Sequence, residues 1–140
     1  MTKSQRGAQG LESMAKISEH KHQVAVMNYW AKRYPKYYAC LFSIPNGAML
    51  AGNKVQRCRQ MNSLKSEGLM PGVSDLFLMV ARCGYHGLFI EMKAEKGRLS
   101  EPQQEHIDRA REQGYMAEVC YGNEQAIELL ENYMEGKLSK

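Results

Sequence analysis

The chain has 140 residues, of which 44% are hydrophobic and 24% charged, and its formal net charge at pH 7 is +4. These values are typical of one soluble globular domain, and no apolar stretch approaches the roughly 20 residues of a membrane span, so we expect no membrane segment. Residues 1–16 are basic and rich in Gly, Ser and Gln without an apolar signal core, which predicts a disordered arm on a cytoplasmic protein.

The charge is unevenly distributed along the chain. Residues 1–98 carry 15 Lys or Arg against six Asp or Glu, a net +9, whereas residues 99–140 carry four against nine, a net −5. A polyanionic partner for the first part is one interpretation. A globular protein that has a basic half is the other, and charge alone does not separate the two.

The first half of the chain predicts two helices and a strand. Residues 18–34 carry apolar side chains at helical spacing after a suitable N-cap, Ser18. Residues 36–44 are aromatic and apolar enough for a strand, which the turn signal of residues 45–47 closes. A second helix is expected from an Asn53 cap to Glu67. Its expected apolar face consists of Val55, Cys58, Met61 and Leu64.

The second half predicts a hairpin and two further helix and strand elements. Residues 75–80 and 87–93 read as strands joined by a three-residue turn, residues 82–84, whose glycine suits a left-handed position. Residues 100–113 predict a helix that Gly114 ends, residues 115–121 a strand, and residues 123–133 a final helix capped by Asn123. The predicted order is αβαββαβα, which indicates an α/β fold with a mixed β-sheet flanked by helices.

Cysteine and histidine positions give no sign of a metal or redox site. The cysteines are separated by 18, 25 and 37 residues without a C-x-x-C pair, so we expect four small buried side chains. His20 and His22 lie two residues apart in a predicted helix and face different directions, which favours surface positions.

The predicted hairpin carries two charges in an otherwise apolar strand, Glu91 and Lys93. Side chains alternate across a strand, so these two share one face with Phe89, while residues 88, 90 and 92 face the core. A hairpin centred on Cys83 pairs residues whose numbers sum to 166. That register places Asp75 beside Glu91 on the neighbouring strand.

Two opposed carboxylates would have Cβ atoms roughly 4.5–5.5 Å apart, where like charges destabilise a sheet. A divalent cation offsets this repulsion, because Mg²⁺ and Mn²⁺ take oxygen ligands such as carboxylates, a main-chain carbonyl and water. Lys93 would project beside the ion, where it can orient an attacking water or stabilise charge on a phosphoryl oxygen. The alternative is that these are solvated residues of a one-sided sheet.

Several motifs resemble a known family. Asp75, followed after fifteen residues by Glu91-Met92-Lys93, resembles the PD-(D/E)-X-K signature of restriction-endonuclease-like nucleases, with Ser74 where proline is usual. The segments IPNG, PGVSDLFLMV, GLFIEMKAEKGRLSEPQQ and QGY resemble the VRR-NUC family more closely, from near Ser18 to the last helix. The resemblance implies a restriction-endonuclease-like nuclease domain over residues 17–136.

The resemblance also implies the site residues. Asp75 and Glu91 would bind Mg²⁺ or Mn²⁺ with the Met92 backbone carbonyl, and Lys93 would be the catalytic lysine. Glu19 would face the metal through water, although a favourable first-turn acid at a helix N-terminus is the alternative. The family's glutamine after the Leu-Ser turn falls on Gln103, and the adjacent Gln104 competes for that role. The sequence reverses the usual Pro-Glu order at residues 101–102.

The same resemblance implies an activity and a partner for the chain. The expected activity is a metal-dependent, structure-selective DNA endonuclease, similar to the small stand-alone phage and bacterial members that act as homodimeric Holliday-junction resolvases. A flap or nicking deoxyribonuclease and a DNA-binding module without chemistry are the alternatives. Basic side chains near the second helix and after the catalytic strand would contact phosphates, and an ordinary solvated face is the competing interpretation. They are Lys54, Arg57, Arg59, Lys65, Lys96 and Arg98.

Overall fold

The computed structural model describes residues 19–46 and 50–139 of the chain. The predicted arm, the predicted cap Ser18 and Gly47 of the predicted turn lie outside these residues. No helix in the described ranges has the length and apolar character needed to cross a membrane. The elements are α1 (described over residues 19–33), a 3₁₀-helix Pro35–Cys40, β1 Leu41–Ser43, α2 Lys54–Ser66, β2 Leu76–Leu78, β3 Leu88–Lys93, α3 Glu101–Glu112, β4 Met116–Tyr121 and α4 Asn123–Met134.

The strands form one mixed sheet in the order β1-β2-β3-β4. β1 pairs with β2 and β2 with β3 in antiparallel fashion, whereas β4 is parallel to β3. Phe77 pairs with Phe89 and Leu76 with Ile90, so the paired numbers sum to 166 and the predicted register is confirmed. The mixed sheet and its flanking helices confirm the predicted fold class.

The turn between β2 and β3 is tighter than predicted. Arg82 and Tyr85 form an antiparallel bridge, and the Tyr85 N–H donates to the Arg82 carbonyl at 2.8 Å, so only two residues lie between them. Cys83 and Gly84 both have positive φ, 56° and 83°, as a type I′ hairpin turn requires. The predicted three-residue turn is therefore wrong. The bridge numbers sum to 167, so the register shifts by one residue between turn and strands.

Helices cover both faces of the sheet. On one face the β3 side chains of Leu88, Ile90 and Met92 belong to the main core. On the other face, Phe89 packs against a smaller cluster built on α3. The alternative of a one-sided sheet is therefore wrong. From the helices, the main core includes Val26, Trp30, Ala126, Leu130 and Tyr133, and the smaller cluster includes Ile107 and Ala110.

The predicted first strand is mostly a 3₁₀-helix. Only Leu41–Ser43 pair with β2, because Pro35 begins a helical turn for which its fixed φ is suited. The Trp30 indole N–H donates to the Tyr37 carbonyl at 3.1 Å, which ties this helix to the buried end of α1. The long strand predicted from aromatic content over residues 36–44 is therefore wrong in its first five residues.

The predicted caps of α2 are confirmed, but its predicted apolar face is not in the core. The Asn53 side chain accepts from the Gln56 N–H in a capping box, and Gly68 follows the helix with φ 108°. No α2 residue is buried, and Val55 is 59% exposed. Charged and amide side chains interrupt every turn, so the apolar stripe is narrower than the roughly 100° that core packing needs.

The cysteines also depart from the prediction. Cys120 is buried, Cys40 and Cys83 are half-buried, and Cys58 on α2 is exposed. The expectation of four buried thiols is therefore right for Cys120 and wrong for Cys58, because α2 does not pack against the sheet.

The predicted end of α3 at Gly114 is confirmed, whereas the predicted cap of α4 is wrong. Ser100 and Gln103 form a capping box at the start of α3, and Gly114 follows its end with φ 87°. At α4 the cap is Gly122, whose φ of 91° favours glycine, and Asn123 is the first helical residue. The Asn123 N–H donates to Nδ1 of His22 at 3.1 Å. His22 is therefore half-buried, contrary to its predicted surface position.

A buried tyrosine joins α4 to the end of the β2 segment, and its hydroxyl gives a test of this packing. Tyr133 donates to the Val80 carbonyl at 2.6 Å and accepts from the Arg82 N–H at 3.2 Å. Tyr133→Phe leaves both groups without this partner and should lower the free energy of unfolding by about 1–3 kcal/mol in denaturant titrations. Tyr38→Phe, at a 61% exposed position, should change it by less than about 0.5 kcal/mol. Equal effects of the two variants would contradict this role.

Candidate active site

Asp75 lies one residue before β2 and reaches across to β3. Its Oδ2 accepts from the Met92 N–H at 2.8 Å, which fixes the carboxylate at the end of the hairpin. The hairpin register, extended by one residue, places Asp75 opposite Glu91. Ser74 is buried, and its hydroxyl has no hydrogen-bond partner within the described residues. The chain therefore enters β2 through a buried residue directly before Asp75.

Glu91 is the buried carboxylate of the site, with 3% of its surface exposed. Its Oε1 accepts from Nε2 of Gln103 at 2.8 Å and lies 3.8 Å from Nζ of Lys93. Asp75 is close enough for its charge to raise the pKa of Glu91. The strand alternation thus places Glu91 and Lys93 on one face, as the sequence predicts, with Asp75 beside them.

Burial disfavours the ionised forms of both carboxyl groups. Desolvation, followed by the charge of Asp75, raises the pKa of Glu91 to about 8, whereas the Lys93 ammonium opposes the rise. Desolvation likewise raises the pKa of Asp75, the Met92 N–H opposes this, and the charge of Glu19 adds to it. The negative charge at this end of the hairpin is therefore incompletely balanced by Lys93.

Glu19 comes to the site from α1. Its Oε1 accepts from the Ala94 N–H at 3.4 Å, one residue after Lys93. The charge of Glu19 also raises the pKa of Asp75 and of Glu91. The carboxylate is thus close enough to influence the pair electrostatically. Its hydrogen bond is to the backbone of the loop after β3.

The two competing glutamines have different partners. Gln103 donates to Glu91 through Nε2, while its Oε1 accepts from the Ser100 N–H at 2.9 Å. Gln104 is exposed, and its Nε2 donates to Asp108 on the outer side of α3 at 3.0 Å. The structure therefore brings Gln103, and not Gln104, to the carboxylates.

A close backbone contact fixes α3 relative to the loop before Asp75. Gly72 has φ 87°, and a Cβ placed there would collide with the Pro102 carbonyl and lie 2.7 Å from the Gln103 nitrogen. This contact between Gly72 and α3 is not predicted from the sequence. The positive φ and the approach of α3 both require glycine.

The predicted DNA-contacting residues are all exposed, and they fall into two groups. Lys54, Arg57, Arg59 and Lys65 lie on α2, which contains no acidic residue. Lys96 and Arg98 follow β3, beyond Lys93. These six are not part of the buried carboxylate cluster, but Lys65 and Gly72 line one cleft of about 320 Å³, which places the end of α2 near the loop that leads to Asp75.

The oxygen atoms of the site that could bind a metal belong to two neighbouring carboxylates and to main-chain carbonyl groups. Within residues 19–46 and 50–139, no three His, Cys, Asp or Glu side chains are grouped closely enough to hold a metal by themselves. Asp75 and Glu91 are thus the carboxylates that could bind a cation directly. The roles of the Met92 carbonyl and of Glu19 stay predictions.

Two comparisons with known proteins identify the family. The family model described as the VRR-NUC domain matches residues 15–124. A solved structure of a VRR-NUC domain protein has a TM-score of 0.72 to this chain and 25% sequence identity, and the match covers 85% of this chain and 89% of that one. A search of the curated proteins finds no match. The chain belongs to the VRR-NUC domain family and has its restriction-endonuclease-like fold, which is of the nuclease type.

Proposed function

We propose that this protein is an endodeoxyribonuclease that depends on Mg²⁺ or Mn²⁺ and hydrolyses phosphodiester bonds in branched DNA, as a Holliday-junction resolvase does. The observation that carries the proposal is the convergence of Asp75, Glu91 and Lys93 at the end of the hairpin. Family membership supports a nuclease with DNA as its partner.

The donor set fits a hard divalent cation. Burial raises the pKa of both carboxyl groups, Lys93 balances their negative charge only in part, and oxygen ligands of this kind suit Mg²⁺ or Mn²⁺. Asp75 and Glu91 would hold the ion with the carbonyl of Met92, and Glu19 would act through water. When bound, the ion activates water for attack and stabilises charge on the scissile phosphate.

The other side chains hold the carboxylates in place or donate to the reacting groups. The Met92 N–H orients Asp75, and the Gln103 amide orients Glu91. Lys93 has only 13% of its side chain exposed, so its ammonium stays beside Glu91. From there it donates to the attacking water or to a phosphoryl oxygen, where a fixed positive charge favours the transition state.

The exposed cations supply the non-specific part of DNA binding. α2 is basic, carries no acid and has no buried residue, so its lysines and arginines are available to phosphates along a duplex. Lys96 and Arg98 extend this positive surface beyond β3. Contacts of this type position DNA without reading its sequence, which supports selectivity for DNA structure.

A homodimer completes the proposed activity. A two-fold dimer places two identical sites on two strands, and this matches the symmetry of a four-way junction. Symmetric cleavage of the junction therefore requires two copies of this chain.

Cleavage assays test the proposal directly. The purified protein should cut labelled four-way junctions at symmetric positions near the crossover with Mg²⁺ or Mn²⁺, and EDTA should abolish the cuts. Lys93→Ala and Asp75→Asn should each lower the cleavage rate at least about a hundredfold with little loss of DNA binding, because they remove groups that act on the reacting phosphate. Cuts confined to flap or nicked DNA would favour the alternative nucleases. Binding without cleavage under every metal condition would favour a DNA-binding module.

The two glutamines provide a matched test of positioning. Gln103→Ala should lower kcat/KM about tenfold, because Glu91 loses the amide that orients it, whereas Gln104→Ala should leave it within about twofold. Gln103 also caps α3, so Ser100→Ala serves as a second control that breaks the same capping box without touching Glu91. Ser100→Ala should lower the free energy of unfolding by about 0.5–2 kcal/mol and retain activity. An equal loss of activity in Ser100→Ala would assign the effect to the cap.

The raised pKa of Glu91 predicts how stability depends on pH. The folded protein holds a proton on Glu91 up to a pKa of about 8, compared with an ordinary value of 4.5. The stabilisation is therefore complete below about pH 4.5 and is lost as the pH rises through about 8. In EDTA, Tm should fall between pH 5 and pH 8, and Glu91→Gln should flatten this dependence.

A divalent cation and a surface variant supply the controls for this pH test. Mg²⁺ or Mn²⁺ should raise Tm more at pH 8 than at pH 5, because protons compete with the metal for the carboxylates. Glu128→Gln, at an exposed position of α4, should keep the full pH dependence of the native chain. A native Tm that does not change between pH 5 and pH 8 in EDTA would contradict the raised pKa.

A further inference from the structure

A cavity of about 370 Å³ lies at the carboxyl end of β4, beside the candidate active site. The residues that line it come from α1, the loop after β3, the end of β4 and the start of α4. Its volume is within the about 300–1,000 Å³ of small-molecule pockets, and the carboxyl ends of parallel strands are common binding positions in α/β folds. The lining residues are His22, Glu95, Tyr121, Gly122, Asn123 and Glu124.

The cavity is one strand away from the catalytic lysine. Tyr121 is the register partner of Lys93 in the parallel β3–β4 pair, and the Gly122 N–H donates to the Lys93 carbonyl at 3.2 Å. Neighbouring strands are roughly 4.8 Å apart, and paired residues project from the same face. A ligand in this cavity would therefore be next to a phosphate that contacts Lys93.

Tyr121 gives the cavity an aromatic wall. It is 40% exposed although it ends a strand of the central sheet, and the main and smaller core clusters do not include it. Its backbone N–H donates to the Gln125 side chain at 2.9 Å, so the residue is held by its main chain. A partly exposed aromatic ring at a position held by its main chain is a stacking surface for a nucleobase.

Two side chains offer hydrogen-bonding groups. Nδ1 of His22 lies 3.1 Å from the backbone nitrogen of Asn123 and 2.9 Å from its Oδ1, and the tautomer of the ring decides which of the two it bonds. In either tautomer, Nε2 is a donor or an acceptor. An imidazole and a carboxamide match the donors and acceptors on the edge of a base.

The charges of the cavity disfavour the other ligands of a nuclease. Glu95 and Glu124 line it, and their carboxylates repel a phosphate. Nor are His22, Glu95 and Glu124 grouped closely enough to bind a metal, since no such group occurs in the described ranges. Carboxylates do accept from the exocyclic amines of bases, so an uncharged aromatic ring with polar edges suits this lining best.

We propose that this cavity receives a nucleobase that is unstacked from the DNA, from the nucleotide adjacent to the scissile phosphate, and that Tyr121 stacks on it. The inference rests on the proposed nuclease function and gives it a basis for selecting branched DNA. A base leaves its stack at a lower cost where continuous stacking is interrupted, as at a branch point. In continuous duplex DNA the full free energy of unpairing and unstacking opposes binding of the base.

Abasic substitutions test the pocket by binding, without the need for cleavage. Four-way junctions with a single abasic position, scanned around the crossover, are titrated with protein in Ca²⁺ in place of Mg²⁺. With the native protein, one position should weaken binding about tenfold, because the stacked base is missing. Tyr121→Ala should bind intact junctions about tenfold more weakly and should lose no further affinity at that abasic position.

Two variants control for folding and for a general effect of tyrosine. Tyr121→Phe retains the ring and should behave as the native protein does. Tyr38→Ala removes an exposed tyrosine from the 3₁₀-helix that precedes β1, at the opposite edge of the sheet, and should retain the full abasic penalty. The proposed pocket would be overturned if the Tyr121→Ala variant lost further affinity at the abasic position, so that the two effects were additive. It would also be overturned if no abasic position weakened binding by the native protein.

The outcomes for the pocket and for the nuclease are separable. If Lys93→Ala abolishes cleavage while Tyr121→Ala shows additive losses, the nuclease proposal stands and the base pocket falls. If no DNA is cleaved but the abasic and Tyr121 effects are coupled, the pocket stands and the nuclease proposal falls. A native protein that binds no junction at all would contradict both.

Discussion

The structure depends on two carboxyl groups that the hairpin holds side by side in a buried place. Asp75 and Glu91 come from neighbouring segments, and burial raises the pKa of each. A fold that served stability alone would gain by replacing one of them with a neutral side chain, since unpaired buried charges are costly. The cation of the proposed function would offset this cost, and the remaining parts of the fold keep the pair in position.

Three elements hold this pair, and each approaches it from a different side. α1 belongs to the main core on one face of the sheet and brings Glu19 to the loop after β3. On the other face, α3 brings Gln103 to Glu91 at its first turn. The hairpin itself supplies the Met92 N–H for Asp75. The site is thus built on the ends of packed helices and strands, which position side chains more rigidly than loops do.

Much of the site could be predicted because its order is local. Alternation along β3 places Glu91 and Lys93 on the same face. Because the numbers of paired residues in a hairpin have a constant sum, the pairing also predicts Asp75 as their neighbour, although the turn is one residue shorter than expected. Helix caps at Asn53 and Ser100 are equally local. Features that depend on distant partners escaped prediction. The His22 to Asn123 contact joins residues 101 positions apart, and the exposure of α2 depends on what the rest of the chain leaves unpacked.

The contact between Gly72 and the start of α3 is made by main-chain atoms on both sides. The atoms nearest to a Cβ at Gly72 are the carbonyl group of Pro102 and the backbone nitrogen of Gln103. The order Glu101-Pro102, the reverse of the order that the resemblance implies, is therefore compatible with this contact, and Gln103 still donates to Glu91. Substitutions should accordingly be tolerated better on the helix side of the contact than at position 72, where a Cβ would collide with main-chain atoms.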